Sequence, residues 1–145
     1  MIIKQEIIND DWKNAIKKIK NKSIDLVVTD PPYGMSFQSN HRKIKHKEIK
    51  NDDGLEWVSD WVKELKRVCK DNSHLYIFCS WHNIEIFKKQ IGDFFNVKNI
   101  LIWEKNNTGM GDLEGDFAPK YEMILFCSTF SQYPTTTHSQ VYAQH

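Results

Sequence analysis

The sequence predicts an α/β fold in which strands alternate with helices, as in a doubly wound sheet. Apolar runs of strand length are separated by segments whose apolar residues recur at helical spacing. The run Ile24–Val28 is typical of a buried parallel strand, and it ends at Asp30-Pro31-Pro32-Tyr33, where the prolines force a turn. Since ligands of open α/β sheets bind at the carboxyl ends of the strands, this turn is the first candidate for function.

The predicted elements follow the order strand, helix, strand, helix, strand, helix, strand, strand. Asn9-Asp10-Asp11 is a cluster of N-capping side chains before the first helix. The second helix opens at Asp52-Asp53-Gly54 and has the strongest apolar stripe, formed by Leu55, Val58, Trp61, Val62, Leu65 and Val68. The predicted strands are Ile2–Ile8, Ile24–Thr29, Leu75–Cys79, Val97–Trp103 and Tyr121–Cys127, and the third helix covers Trp81–Ile91.

Length and composition limit the classes of protein to consider. A chain of 145 residues, with 40% hydrophobic and 27% charged residues, is expected to form one globular domain with a modest core. No apolar run reaches membrane-spanning length, and the first residues lack a signal-peptide layout, so we expect a cytoplasmic location. Cys69, Cys79 and Cys127 show no metal-ligand spacing and are expected to be buried thiols.

The turn at Asp30-Pro31-Pro32-Tyr33 suits the activation of an exocyclic amine. An adenine amino nitrogen is a poor nucleophile because its lone pair is delocalised into the ring. The Asp30 carboxylate and the Pro31 carbonyl would accept its two N–H bonds, while Pro32 would stiffen the turn and Tyr33 would stack on the base. An ordinary strand-terminating turn is the alternative, because aspartate and proline are common turn residues.

Asp30-Pro31-Pro32-Tyr33 resembles the catalytic motif of S-adenosylmethionine-dependent amino methyltransferases that act on DNA. The chain resembles the permuted β-class of these enzymes, in which the catalytic half precedes the cofactor half. The resemblance covers residue 1 to about residue 127 and includes Arg67-Val68, Trp103-Glu104-Lys105 and Gly109–Phe126. The resemblance implies a Rossmann-like methyltransferase sheet and transfer of a methyl group from S-adenosylmethionine to adenine N6. The substrate it implies is double-stranded DNA, with the target base flipped out of the duplex.

The same resemblance implies a cofactor contact. In the family, an acidic residue after the strand that corresponds to Ile2–Ile8 approaches the cofactor adenine. Asp10 or Asp11 matches the position of that residue. The family's Phe-x-Gly-x-Gly turn has no counterpart, since Gly109-Met110-Gly111 leads to Phe117-Ala118-Pro119 where a helix should begin. We therefore expect an incomplete sheet without its cofactor-binding strands, from a truncated gene product or from a variant completed by a second chain.

Several alternatives remain open at this point. An initial aspartate in the motif favours adenine over cytosine N4, but enzymes that modify RNA carry the same type of motif. The chain would otherwise be an inactive remnant that binds DNA weakly, or an α/β binding module with a chance motif. Residues 1–127 are expected to form the catalytic part, and residues 128–145, rich in Ser, Thr, Gln and His, a disordered or aberrant tail.

A predicted long loop, residues 34–51, supplies candidate contacts to DNA. Residues 41–50 carry five Lys or Arg against one Glu, which fits phosphate binding and a solvated loop equally well. Phe37 would line the pocket of the flipped base or pack on the core. The candidate DNA-binding residues are Phe37, Arg42, Lys43, Lys45 and Lys47.

Tryptophans and histidines are the remaining candidates for a functional role. Trp57, Trp61, Trp81 and Trp103 lie in helical or strand register, which predicts core packing rather than base stacking. The six histidines show no ligand spacing. No metal site is therefore predicted.

Overall fold

The computed structural model describes residues 5–32, 54–106 and 120–129. A short helix, α1 (Trp12–Ala15), continues as a 3-10 turn over Ile16–Lys18. The two longer helices are α2 (Val58–Val68) and α3 (Ile84–Gly92). The strands are β1 (Ile24–Thr29), β2 (Cys69–Cys79), β3 (Asn96–Glu104) and β4 (Tyr121–Ser128).

The four strands form one mixed sheet in the order β1-β2-β4-β3. β1 and β2 are parallel, with Thr29 opposite Ile77. Because β4 is antiparallel to both β2 and β3, the strands β1, β2 and β3 all run in one direction. Their carboxyl ends therefore meet at one edge of the sheet, and the predicted α/β fold is confirmed with one antiparallel strand inserted.

Helices α2 and α3 contribute to the core on one face of the sheet. Five of the six residues of the stripe predicted for α2 are buried, namely Val58, Trp61, Val62, Leu65 and Val68. The predicted start is wrong, because the helix begins at Val58 and Leu55, which precedes it, is only partly buried. Phe87 and Ile91 of α3 are fully buried as well. They belong to the same core cluster as Leu75 and Ile77 of β2 and Leu125 of β4.

The opposite face of the sheet carries apolar side chains that stay partly exposed. The ring centroids of Tyr76 and Phe126 are 5.0 Å apart, and the side chains of Leu26 and Val28 are 55% and 63% exposed. Trp103 lies on this face too, with its ring centroid 5.8 Å from that of Phe78. Exposed apolar surface of this kind is typical of interaction surfaces.

Two predictions about the first strands are wrong. The sequence predicts a buried interior strand at Ile24–Thr29, but β1 forms an edge of the described sheet. Alternation directs Leu26 and Val28 to the exposed face and Val27 to the core. Ile24 packs against the core as well, because the register shifts between Ile24 and Leu26. Within the predicted strand Ile2–Ile8, residues 5–8 form no strand, and Ile7 is 97% exposed.

The core extends two residues past the predicted boundary at Cys127. Ser128 belongs to β4, and Thr129 is buried. The Thr129 hydroxyl accepts a hydrogen bond from Ser73 N at 2.9 Å and donates one to Asp71 O at 2.5 Å. The remainder of the predicted tail, residues 130–145, lies outside the described residues.

Replacing Thr129 by valine is expected to lower the free energy of unfolding by about 1–3 kcal/mol, because the buried Ser73 N–H would lose its side-chain acceptor. Denaturant titration measures the change. Thr129→Ser, which keeps the hydroxyl, is the matched control and is expected to lose less. Equal midpoints for wild type and the valine variant would contradict this role of the hydroxyl.

The three cysteines are buried and unpaired, as the sequence predicts. Burial raises the pKa of Cys79 from an ordinary value of 9.0 to about 11. Burial, with a smaller contribution from Cys79, raises the pKa of Cys127 to about 12. Both thiols therefore keep their protons in the native state at pH values where an unfolded chain would release them.

We expect stability to fall as pH rises above the unfolded thiol pKa of 9.0 towards the native values of about 11 and 12. Below that range the thiols are protonated in both states and contribute no pH dependence, whereas within it only the unfolded chain loses protons. Denaturant titrations along this range measure the decline. Burial also raises the pKa of Cys69, so Cys127→Ala removes one of three such groups and its stability should decline less steeply; parallel curves would contradict the expectation.

Candidate active site

The turn after β1 presents the first candidate catalytic side chain at the surface. Asp30 directly follows Thr29, the last residue of β1, and it is exposed. Pro31 is buried and Pro32 is half-buried, so the backbone next to the carboxylate is anchored by a ring with a fixed φ angle. An exposed carboxylate on a rigid turn is a fixed hydrogen-bond acceptor that a ligand can reach. Tyr33 lies outside the described residues.

A second set of polar and aromatic side chains, Ser80-Trp81-His82, follows β2 at the same edge of the sheet. Trp81 is 50% exposed, and its ring centroid lies 3.8 Å from that of His82, with an interplanar angle of 30°. The Ser80 hydroxyl lies 3.1 Å from Nδ1 of His82 and accepts a hydrogen bond from His82 N at 3.3 Å. Sequence reasoning missed this set, although it follows an apolar strand just as Asp30 does.

The prediction of core packing holds for two of the four tryptophans. Trp61 is buried, and Trp57 packs against it with a centroid distance of 5.6 Å. Trp81 and Trp103 are 50% and 52% exposed, so the prediction is wrong for them. Helix α3 begins at Ile84, which leaves Trp81 in the preceding turn, and Trp103 projects from the exposed face of the sheet.

Charged pairs close the end of the β3–β4 hairpin at this edge. Lys120 Nζ lies 3.0 Å from a Glu104 carboxylate oxygen, and Lys105 pairs with Glu122. Lys105 N also donates to Lys120 O at 2.8 Å. These contacts hold the two ends of the connecting segment together, and residues 107–119 of that segment lie outside the described residues.

The candidate cofactor-binding acids, Asp10 and Asp11, cap the first helix. The Asp11 side chain accepts a hydrogen bond from Lys13 N at 2.9 Å, as the N-cap prediction requires. Asp10 lies 2.9 Å from Lys18 Nζ and accepts from the Asn14 amide at 3.2 Å. The hydrogen bonds from Lys18 and Asn14 lower the pKa of Asp10, so this carboxylate stays ionised at neutral pH.

The residues that the structure describes do not complete a site for S-adenosylmethionine. A nucleotide-like cofactor needs a glycine turn after a strand, where its backbone can approach closely. The glycines within the described ranges are Gly54, which precedes α2, and Gly92, which ends α3, and neither follows a strand. The side chains of Asp10 and Asp11 instead bond to groups of the first helix, namely the Asn14 amide and Lys13 N.

The candidate DNA-binding residues lie outside the part of the chain that the structure describes. They are Phe37, Arg42, Lys43, Lys45 and Lys47. Within the described ranges, no helix is long and apolar enough to cross a membrane. No group of three His, Cys, Asp or Glu side chains in those ranges is arranged to hold a metal ion.

The chain matches the model of a known family over most of its length. The family is described as DNA methylase, of the N6 and N4 type, and the match covers residues 24–144. The chain belongs to this DNA methylase family. The matched region contains β1 and the Asp30 turn, and it continues past Cys127, where the sequence predicts the catalytic part to end.

Two curated relatives of this DNA methylase chain are similar to it over most of its own length. Type II methyltransferase M.HpaI from Haemophilus parainfluenzae is 31% identical over 136 residues, which is 90% of this chain and 40% of the relative. DNA adenine methyltransferase YhdJ from Escherichia coli (strain K12) is 29% identical over 121 residues, which is 82% of this chain and 39% of the relative. The chain therefore spans about two fifths of the length of these relatives.

The fold is similar to that of a solved methyltransferase. The structure described as the M1.HpyAVI-SAM complex aligns with a TM-score of 0.59 and 20% identity, covering 92% of this chain and 60% of that chain. At this identity the similarity shows the fold. It confirms the predicted Rossmann-like methyltransferase sheet, of which the described residues form four strands.

Proposed function

We propose that this DNA methylase chain is the catalytic portion of an enzyme that methylates adenine N6 in double-stranded DNA, with S-adenosylmethionine as the methyl donor. The exposed carboxylate of Asp30, held at the carboxyl end of β1 by the buried Pro31, is the observation that carries the proposal. Family membership supports the reaction class. The name of the relative YhdJ, a DNA adenine methyltransferase, supports the choice of adenine.

In the proposed reaction the chain's own residues prepare the amine. Asp30 accepts a hydrogen bond from one N–H of the adenine amino group, and the Pro31 carbonyl accepts one from the other. Two fixed acceptors draw the nitrogen lone pair away from the ring and aim it outward, since the proline turn holds them in place before substrate arrives. Pro32 keeps the turn rigid, and Tyr33 stacks on the base.

DNA is the proposed macromolecular partner. Phe37, Arg42, Lys43, Lys45 and Lys47 would contact the flipped base and the phosphates next to it. Cofactor contacts by Asp10 or Asp11 belong to the proposal as well, with the remaining contacts supplied by a segment or second chain that corresponds to the rest of the relatives. A DNA substrate, together with three buried thiols, is consistent with the cytoplasm.

A second candidate function is a module that binds DNA without methylating it. The chain spans about two fifths of its curated relatives, and the described residues do not complete a cofactor site. A chain of this kind would keep the Asp30 turn but would not bind S-adenosylmethionine, the methyl donor. The target base is a separate question, because the family includes N4 as well as N6 enzymes.

Calorimetry and product analysis on the same preparation test the proposal. The chain is titrated with S-adenosylmethionine and is also incubated with duplex DNA and labelled S-adenosylmethionine, after which the DNA is digested to nucleosides. Cofactor binding with label in N6-methyladenine supports the proposal, whereas label in N4-methylcytosine corrects the target. DNA binding without cofactor binding or labelling supports the second candidate and contradicts the first.

A further inference from the structure

Trp81 lies at the edge of the sheet that carries the Asp30 turn. β1 and β2 are parallel neighbours, and Thr29 at the end of β1 is opposite Ile77 of β2. Continuing this register places Asp30 level with Phe78, three residues before Trp81. The chain leaves β2 after Cys79, so the Trp81 turn and the Asp30 turn follow neighbouring parallel strands at the same edge of the sheet. A base held by Asp30 would therefore lie close to the Trp81 turn.

The indole of Trp81 is held in place and is accessible at the same time. One side of the ring covers His82, at a centroid distance of 3.8 Å, and half of the residue is exposed. His82 is itself held by the Ser80 hydroxyl, and Asn83 N donates to Ser80 O at 3.1 Å, which closes the turn. The accessible part of the indole thus points away from His82 and loses little conformational freedom when a ligand stacks on it.

Burial does not account for this side chain. A tryptophan whose only role is packing would be expected in the core, as Trp57 and Trp61 are. Trp81 instead keeps half of its surface in solvent, in a turn that connects β2 to α3. Exposed aromatic rings beside a catalytic carboxylate suit nucleobases, since every base offers a flat face for stacking.

We propose that Trp81, supported by His82, is a stacking platform for a nucleobase of the DNA substrate beside Asp30. This inference rests on the proposed function, because it assumes that the Asp30 edge receives DNA. It adds a substrate-contacting residue from the turn after β2 to those of the turn after β1. The base stacked on Trp81 is the target adenine or its immediate neighbour in the strand.

The test uses a short single-stranded oligonucleotide that contains a fluorescent adenine analogue, whose emission is quenched by stacking. Trp81→Ala is expected to weaken binding between about 5-fold and about 150-fold, the equivalent of one base stack, and to abolish the quenching. Trp81→Phe should recover most of both, since it restores an aromatic face. Thermal unfolding of each variant confirms that the fold is retained.

Trp103→Ala is the matched control. Trp103 is 52% exposed, about as much as Trp81. It lies on β3, which forms the edge of the sheet farthest from β1. This variant should bind and quench like the wild type. If Trp81→Ala also binds and quenches like the wild type, the inference about Trp81 is overturned while the proposed function stands. If the wild-type chain binds neither the oligonucleotide nor duplex DNA, both are overturned.

Discussion

Replacing Asp30 by asparagine is expected to lower the rate of methyl transfer on the order of 100- to 1,000-fold, the loss usually seen when one preorganised polar contact to a reacting group is removed. The asparagine amide has nearly the same shape but no charge, and it can present an N–H where the substrate amine needs an acceptor. Because Asp30 is exposed, the melting temperature should change little. Rates are measured with labelled S-adenosylmethionine and duplex DNA.

Asp25→Asn is the matched control for this variant. Asp25 is an exposed carboxylate in β1, the strand that Asp30 follows, and a carboxylate oxygen of Asp25 lies 2.7 Å from Lys70 Nζ. Its loss removes a surface ion pair, which contributes at most about 1 kcal/mol to stability. Methyl transfer by the Asp25 variant should match the wild type. Wild-type rates in the Asp30 variant would refute the role proposed for that carboxylate.

The sequence predicts the elements whose signals are local. The stripe of α2 needs only the helical period, and it is confirmed by the burial of Val62 and Leu65. The strand before Asp30 and the turn at Pro31 are likewise set by a short apolar run and two prolines. For such elements the neighbouring residues in the chain contain most of the information, since periodicity and ring geometry decide the backbone.

Contacts between distant segments are not visible in the same way. β2 begins at Cys69, six residues earlier than predicted, although the residues between Cys69 and Leu75 are mostly polar. Cys69 pairs with Ile24 of β1, and regular pairing resumes at His74 opposite Leu26, so the polar residues between them form an irregularity in the ladder. The early start of β2 therefore depends on a pairing with a segment far away in sequence, which no local pattern shows.

Arg67 shows the same limitation for a single side chain. From sequence it is a basic residue that complements the dipole of α2. In the structure its guanidinium donates to Ile16 O at 2.9 Å and to Ile19 O at 3.1 Å, and so connects α2 to the segment before β1. Planar guanidinium donors can reach several carbonyls at once, but which carbonyls they reach depends on the fold.

The residues of the candidate site show the same difference between local and long-range information. Asp30, Pro31 and Pro32 are candidates because their motif is contiguous, and in the structure Asp30 is exposed and directly follows β1. Trp81 was assigned to the core because its spacing from Ile84 suits a helix, yet the helix starts only at Ile84. That the Trp81 turn and the Asp30 turn lie at the same edge of the sheet follows from the parallel pairing of β1 and β2, which no local pattern contains.

Replacing Phe87 by alanine is expected to lower the free energy of unfolding by about 3–5 kcal/mol, the usual cost of removing a buried ring. Phe87 is fully buried and belongs to the core cluster that includes Leu75 and Ile77 of β2. Phe87 N also donates to Asn83 O at 3.0 Å, in the first turn of the helix that follows Trp81. A loss of this size is a large part of the stability of an ordinary small domain.

Ile86→Ala is the control for the Phe87 variant, and it separates core packing from helix propensity. Ile86 precedes Phe87 in α3 and is 44% exposed, so its truncation removes little buried surface. We expect the Ile86 variant to stay within about 0.5 kcal/mol of the wild type in denaturant titration. Similar losses in the two variants would show that α3 does not pack on the sheet through Phe87. The larger loss in the Phe87 variant would show that this ring fixes α3, and with it the start of the helix after the Trp81 turn.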